Sequence, residues 1–310
     1  MYRSMPRQDG SWFRVPVESI PYKIIVIDEV SMVPDSMLQQ LFKYNRYVIA
    51  LGDPFQLPPV SQDDVNTLLD KPHVFLNEIM RQAQESEIIR ISMDIREGKD
   101  ISLFDGNEVK IYDNKSLSEG MLLWADQILV GTNQTRINLN NTMRRLLGRD
   151  GGPADGDKVI CLKNEWEIMA NNGDPLVNGT IGTIENSYSS FVTFPKNLCQ
   201  QKFDITRCNF VSDSGARFED LALDKKMIMT GEKCCDFKTA WRINKNRAHS
   251  SKMPLEFTYG YAITCHKAQG SQWEKVLVVE EKFPFDKTEH ARWLYTAVTR
   301  AEEKAVIIKK

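Results

Sequence analysis

Two adjacent carboxylates, Asp28 and Glu29, end the apolar run Tyr22-Lys23-Ile24-Ile25-Val26-Ile27. Magnesium takes hard oxygen ligands and phosphoryl transfer needs a water held in line, so paired acids at a strand end suit both tasks. A second run, Tyr47-Val48-Ile49-Ala50-Leu51, empties into Gly52-Asp53-Pro54-Phe55-Gln56-Leu57-Pro58-Pro59, which brings an acid and an amide. The first run predicts a buried strand of a parallel sheet, and open α/β sheets bind ligands outside the C-terminal strand edge. Both groups are therefore expected at one edge, where a nucleotide would lie. Ile-Asp-Glu alone fits a core strand ending in surface acids equally well; the Gly-Asp-Pro-Phe-Gln-Leu-Pro-Pro segment one strand later argues against that reading.

The surrounding pattern supplies the elements that must hold these groups. Residues 1–21 carry Pro6, Gly10, Pro16 and Pro21 with little periodicity and predict a loop or the tail of another element. Asp35 to Tyr44 predicts a short amphipathic helix between the two strands. His73 to Gln82 predicts a strand and a turn, and Glu85 to Gly98 a helix with Gly98 as C-cap. Gln127 to Asn133 predicts a strand ending in small polar residues, followed by a helix from about Gln134 to Leu147. This strand and helix alternation marks a second α/β domain.

The pattern changes after Gly148-Arg149-Asp150-Gly151-Gly152-Pro153. Short β-type runs at 158–162, 177–184 and 191–194, with a turn signal at Asn178-Gly179, predict an all-β insertion. Between Lys225 and Lys252 eight basic residues meet only Glu232 and Asp236, with Phe237 and Trp241 interleaved. Charge tracks phosphates and rings stack on bases, so this stretch suits a single strand, while a solvated loop is the bland alternative. Further on, Tyr261 to Gln272 holds Thr264, His266, Lys267, Gln269 and Gly270; a glycine there lets backbone approach a phosphate closely. Val276 to Val279 predicts a strand, Arg292 to Ala301 a helix, and Ala305 to Ile308 a final strand.

Whole-chain properties exclude several classes. At 310 residues and 42% hydrophobic content the chain can build two domains and a small third. Its formal charge of −2 puts any nucleic-acid binding on local basic surface. The six cysteines form no C-x-x-C pair and the four histidines do not cluster with them, which argues against zinc and for a reducing compartment. No run approaches a membrane span and the first residues lack a signal-peptide core, so a cytoplasmic protein with no membrane partner is expected.

In order, Asp28-Glu29, GDPFQLPP, NEIMRQ, YAITCHKAQGSQ and LYTAVTRA resemble motifs II to VI of superfamily 1 helicases. The resemblance is strongest to the 5′-to-3′ branch, the RecD-like and phage Dda-like DNA helicases of replication, repair and recombination, and it covers nearly the whole chain from Tyr22. It implies RecA-like P-loop NTPase motor domains, ATP and Mg²⁺ as cofactors and single-stranded DNA as partner. Asp28 would hold Mg²⁺, Glu29 would activate water, and Gln56 would link nucleotide to strand. Arg81 and Arg300 would reach the γ-phosphate, with Gln269 and Gly270 at the nucleotide. Thr132, Asn133, Thr264, His266 and Lys267 would contact DNA, a role also expected of Trp241 in the basic stretch. The runs G-D-K-V-I and N-G-T-I-G-T-I resemble the SH3-like insert of these helicases.

The domains expected are 1–72, the C-terminal part of a first RecA-like domain; 73–150 with 255–310, a second; and 151–254, the SH3-like insertion. The sequence holds no G-x-x-x-x-G-K-[ST], the loop that cradles the phosphates in this family. The chain is therefore expected to be the C-terminal part of a helicase, inactive alone, with a Walker A half supplied by missing sequence or a separate chain. The alternative is a catalytically inactive nucleic-acid-binding or regulatory remnant, and a non-helicase translocase is a third reading.

Overall fold

The computed structural model describes residues 2–6, 12–58, 65, 67–76, 85–282 and 286–310, with the side chains of 2–6, 12–14 and 247 left aside. By internal contacts the chain divides into two compact units. One holds Met1–Pro6, Trp12–Arg136 and Ile263–Lys310; the other centres on Ile137–Ala262.

The first unit opens with an antiparallel hairpin of β1 (Tyr2–Pro6) and β2 (Trp12–Pro16). This corrects the loop expected over 1–21. The prolines Pro6 and Pro16 that suggested a loop end the two strands, where a missing N–H is tolerated. Strands β3 (Ile24–Ile27) and β4 (Tyr47–Ala50) then pair in parallel, with Ile24 opposite Tyr47 and Val26 opposite Ile49, joined by helix α1 (Asp35–Phe42). They form a sheet of two strands, not buried as expected. Alternate side chains of both strands point to one open face, where Ile24, Val26 and Tyr47 are 58%, 60% and 79% exposed, while Ile25, Ile27, Val48 and Ala50 are half-buried on the other.

Helix α2 (Glu87–Arg96) buries Ile88, Ile91 and Ile95 at helical spacing. The strand expected to start at His73 is absent from the described residues 73–76, and the rest of that expectation, with Arg81, lies outside the described residues. After β5 (Phe104–Asp105) and β6 (Val109–Asp113) come α3 (Glu119–Trp124), the fully buried β7 (Gln127–Val130) and helix α4 (Asn133–Leu146), within which the chain passes into the second unit.

That unit is built on a five-stranded antiparallel sheet in the order β13-β12-β11-β8-β14. Its strands are β8 (Lys158–Cys161), β11 (Ile181–Val192), β12 (Phe203–Ser212), β13 (Arg217–Asp224) and β14 (Phe257–Tyr259), beside a small pair, β9 (Glu165–Met169) and β10 (Pro175–Leu176). The separate strand expected at 191–194 is the end of β11. Gly182 explains the close pairing of β11 on β12: a Cβ there would lie 2.1 Å from the Val211 carbonyl oxygen. The two outer strands approach each other through Leu255, whose N–H donates to the Ala222 carbonyl at 2.7 Å and whose carbonyl accepts from the Asp224 N–H at 2.9 Å. Phe210 sits at the centre of the core, 5.9 Å from Phe218 and 5.3 Å from Phe257 between ring centroids. The insertion is not all-β. The basic stretch forms helices α5 (Lys225–Thr230), α6 (Phe237–Lys245) and α7 (Arg247–Ser250), started by the side chains of Asp224, Asp236 and Asn246, each accepting from a first-turn N–H.

The chain then completes the first unit with β15 (Ala262–Thr264), helix α8 (Cys265–Ala268), β16 (Trp273–Val279), α9 (Lys287–Val298) and β17 (Ala301–Lys309). These join earlier strands in a six-stranded sheet ordered β15-β7-β16-β17-β6-β5. Strands β7, β16, β17 and β6 run parallel, which gives the sheet a defined N-terminal and C-terminal edge. Helix α9 packs on β16, β17 and α2, burying Trp293, Leu294, Ala297 and Val298.

Candidate active site and nucleic-acid interface

The acids sit where the sequence puts them, at the end of β3. Asp28 is exposed and one carboxylate oxygen accepts the Glu29 N–H at 2.9 Å. Glu29 adopts φ 50, ψ 45, the left-handed region that an L side chain enters only at a cost. The next residue, Val30, is fully buried and its N–H donates to the Leu51 carbonyl at 2.9 Å, joining the two strand ends.

The loop after β4 is held by the C-terminal part of the first unit through a closed circuit of hydrogen bonds. The Leu57 N–H donates to the Thr296 hydroxyl at 3.0 Å, and the Leu57 carbonyl accepts the Gln269 side-chain amide at 2.9 Å. Two residues past Gln269, the Ser271 carbonyl accepts an Arg300 guanidinium N–H at 3.3 Å. Arg300 Nε donates in turn to the Thr296 carbonyl at 3.1 Å, which closes the ring. Beside it, Tyr295 donates its hydroxyl to Asp53 at 2.5 Å, and the other Asp53 oxygen accepts the Phe55 N–H at 2.9 Å. Burial first, and then the Asp53 carboxylate, push the Tyr295 pKa up.

Two groups in this circuit have unspent capacity. Arg300 is 6% exposed, and its three donated hydrogen bonds go to the Thr296 and Ser271 carbonyls and the Thr299 hydroxyl; no carboxylate among the described residues pairs with it. A guanidinium has five donors and its charge is costly to bury without an anion. Gln56 carries a buried side-chain carbonyl oxygen with no hydrogen-bond partner among the described residues. A buried unneutralised cation and an orphaned acceptor in one loop cluster are what a phosphate group and its attacking water would satisfy. Gly270, at φ 78, supplies the backbone turn between Gln269 and Ser271.

The proposed DNA contacts fall elsewhere. Arg300 and Ser271 lie at the N-terminal edge of β16 and β17, whereas Thr132 and Asn133 follow the C-terminal end of β7. There Glu281, just past β16, accepts the Gly131 N–H at 2.6 Å, the Thr132 N–H at 2.8 Å and the Thr132 hydroxyl at 2.8 Å, with a further bond from the Thr135 hydroxyl. Burial acts to raise the Glu281 pKa, but these hydrogen bonds from Thr135, Thr132 and the backbone outweigh it and hold it low. Asn133 Oδ1 accepts from Arg136 Nε at 3.2 Å. Thr264 occupies the start of α8 without capping it, and burial lowers the His266 pKa, which favours a neutral ring. Lys267 lies on the same short helix, and Trp241 belongs to α6 in the other unit.

Sequence reasoning missed Asp53 with Tyr295, Leu57 with Thr296, and Glu281. Tyr295 and Thr296 were visible in LYTAVTRA; nothing in the sequence paired them with a loop more than two hundred residues away.

The chain is similar to several known proteins. Residues 12–117 match the AAA domain family and 259–308 the UvrD-like helicase C-terminal domain family. An uncharacterized protein of Acanthamoeba polyphaga mimivirus is 24% identical over 93% of this chain and 75% of its own. The ATP-dependent RecD2 DNA helicase of Deinococcus radiodurans is 25% identical over 93% of this chain, which spans 36% of that protein. In fold, the Pif1 helicase of Candida albicans matches with a TM-score of 0.51 at 17% identity, over 92% of this chain and 71% of its own. Bacteroides Pif1 in complex with ADP-AlF3 and ssDNA gives 0.51 at 17% identity, over 93% and 70%. With the motif order, these matches make the chain similar to superfamily 1 helicases of the RecD/Pif1-like type.

Proposed function

We propose that the chain works as part of an ATP-dependent DNA helicase or translocase that moves on single-stranded DNA. The observation that carries this reading is the buried Arg300 without a carboxylate partner, beside the orphaned Gln56 oxygen. The relatives named above include helicases whose descriptions carry ATP, ADP-AlF3 and ssDNA, which supports the same chemistry here.

In this reading Asp28 would hold Mg²⁺ and Glu29, on the tight turn into Val30, would accept a proton from the attacking water. Bound Mg-ATP supplies the transferable phosphoryl group and the charge that neutralises the site. Gln56 orients the water through its unpaired oxygen. Arg300 lends its two unused donors to developing negative charge, with Arg81 as a second cation, and Gln269 and Gly270 shape the nearby backbone. The circuit through Leu57, Thr296 and Gln269 makes the loop after β4 respond to any movement of α9. Strand contacts come from Thr132, Asn133, Thr264, His266, Lys267 and Trp241. The Leu255 closure of the antiparallel sheet supports an SH3-like insertion, decorated by α5 to α7.

The 310 residues contain no G-x-x-x-x-G-K-[ST], so in this reading turnover needs a phosphate-cradling loop that these residues do not supply. The test is strand-stimulated ATP hydrolysis by the purified chain, with and without the product of the adjoining upstream reading frame. Activity only in the mixture supports the proposal. Strand binding without hydrolysis in either sample favours a catalytically inactive, nucleic-acid-binding remnant.

A further inference from the structure

Helix α6 (Phe237–Lys245) divides sharply into an anchored face and an open one. Ile243 is fully buried in a cluster with Phe194, Cys199, Phe203 and Cys234, and Thr239, one turn earlier, is buried beside it. The Asp236 carboxylate fixes the start of the helix by accepting the Thr239 N–H at 2.8 Å and its hydroxyl at 3.1 Å. On the opposite side Phe237, Trp241 and Lys245 recur every four residues and so form one stripe. Phe237 is 82% exposed, the highest fraction of any described aromatic side chain in the unit. Trp241 is half-buried with Lys245 Nζ 5.1 Å from its ring centroid.

The charge around this stripe is one-signed. Lys238 and Lys245 form no ion pair among the described residues, and Arg242 is turned to the Thr239 hydroxyl at 3.2 Å. The nearby acids are spent: Glu232 pairs with Lys226 at 2.9 Å, and Asp236 is the helix cap. A helix face built to dock a protein is depleted of lysine; here the open face sets two rings among lysines, with Asn244 as its neutral polar residue. A helix rises about 6 Å over four residues, close to the separation of about 7 Å set by two base-stacking distances.

We propose that Phe237 and Trp241 form a two-ring clamp for a base of single-stranded nucleic acid, with Lys238 and Lys245 on the flanking phosphates. Stacking is indifferent to base identity, so the clamp grips without reading sequence. This inference rests on the reading that the chain engages a single strand, and it adds a grip independent of the nucleotide site.

The test measures equilibrium binding of the whole chain, without nucleotide, to a labelled oligothymidylate and to an abasic strand of the same length. Phe237→Ala is expected to weaken oligothymidylate binding about tenfold and to leave the abasic strand unchanged, a loss typical of one stacked base. Phe237→Trp restores binding and Phe237→Leu does not, which separates stacking from apolar contact. Phe237 is open to solvent, so an unchanged thermal melt confirms that each variant folds. A wild type that binds oligothymidylate, with a Phe237→Ala variant that binds it equally well, overturns the clamp and leaves the proposed function standing. Equal weakening on both strands also overturns it. A wild type that binds neither strand sinks both readings.

Discussion

Tyr295, near the end of α9, donates its hydroxyl to Asp53 in the loop after β4, across 242 positions of sequence. The bond couples the helix that leads into Arg300 to the loop carrying Gln56. Tyr295→Phe keeps the ring, 6.4 Å from Phe55 and edge-on to it, and removes only the donor. A hydrogen bond to a charged group is worth about 2 kcal/mol. Urea unfolding should show a loss of that size, and strand-stimulated hydrolysis in the assembled motor should fall with little change in nucleotide affinity. Wild-type stability in the variant would mean that water replaces the hydroxyl fully.

Glu29 combines the proposed catalytic role with a left-handed backbone. Glu29→Gln should abolish turnover and leave nucleotide binding intact. Glu29→Gly relieves the strained φ, a gain of roughly 1–2 kcal/mol, offset by roughly 0.5–1 kcal/mol of added unfolded-chain freedom. Its stability should therefore match or slightly exceed the wild type while hydrolysis is lost. Normal turnover in either variant would show that another group activates the water.

Arg300 serves both the hydrogen-bond circuit and the proposed transition state. Arg300→Ala should lower turnover by about a thousandfold, the lower end for an arginine finger. Arg300→Lys should fail to rescue it, since an ammonium cannot bridge two carbonyls and a phosphate in the plane that a guanidinium spans. Rescue by lysine would reduce the role to simple charge.

In the second unit, Asp157 is completely buried and takes the hydroxyl of Tyr261 at 2.8 Å, the Ala154 N–H at 2.8 Å and Arg144 Nε at 3.3 Å. Arg149 bonds to the Tyr261 hydroxyl and approaches the same carboxylate at 3.4 Å. Asp157→Ala leaves Arg144 buried without its anion, so a loss of about 3–5 kcal/mol is expected in chemical denaturation. A loss under 1 kcal/mol would show that the site collapses or hydrates.

Glu281 sets a pH dependence. Its folded-state pKa lies below the ordinary 4.5, so the unfolded chain binds its proton first as pH falls. The contribution is complete at neutral pH and disappears as acidification passes below 4.5 through the folded-state pKa. Denaturation midpoints of wild type and Glu281→Gln, followed across that range, should differ at neutral pH and converge in acid. Curves that diverge on acidification would reverse the assignment.

Regular periodicity made most of the first unit legible. The apolar runs at 24–27, 47–50 and 127–130 located three strands, of which only the last is buried throughout, and the apolar spacing within Glu85 to Gly98 located a helix. The hairpin of Tyr2–Pro6 with Trp12–Pro16 was hidden by its prolines. Strands β12 and β13 escaped because Asp204, Arg207, Asn209, Glu219 and Asp220 interrupt them with polar side chains on the open face. Helix α6 was masked by its own surface: only Thr239 and Ile243 face inward. The acids at Asp28 and Glu29 could be read locally, whereas the Leu57, Thr296, Gln269 and Arg300 circuit depends on contacts that tertiary folding alone creates.

The strand order of the six-stranded sheet carries a consequence for synthesis. Strand β7 lies between β15 and β16, both of which leave the ribosome only after residues 137–262 have been made. The fully buried Gln127–Val130 must wait unpaired while the intervening unit, whose antiparallel neighbours are close in sequence, folds on its own. The length of the intervening unit thus sets how long this hydrophobic strand waits before the six-stranded sheet can close.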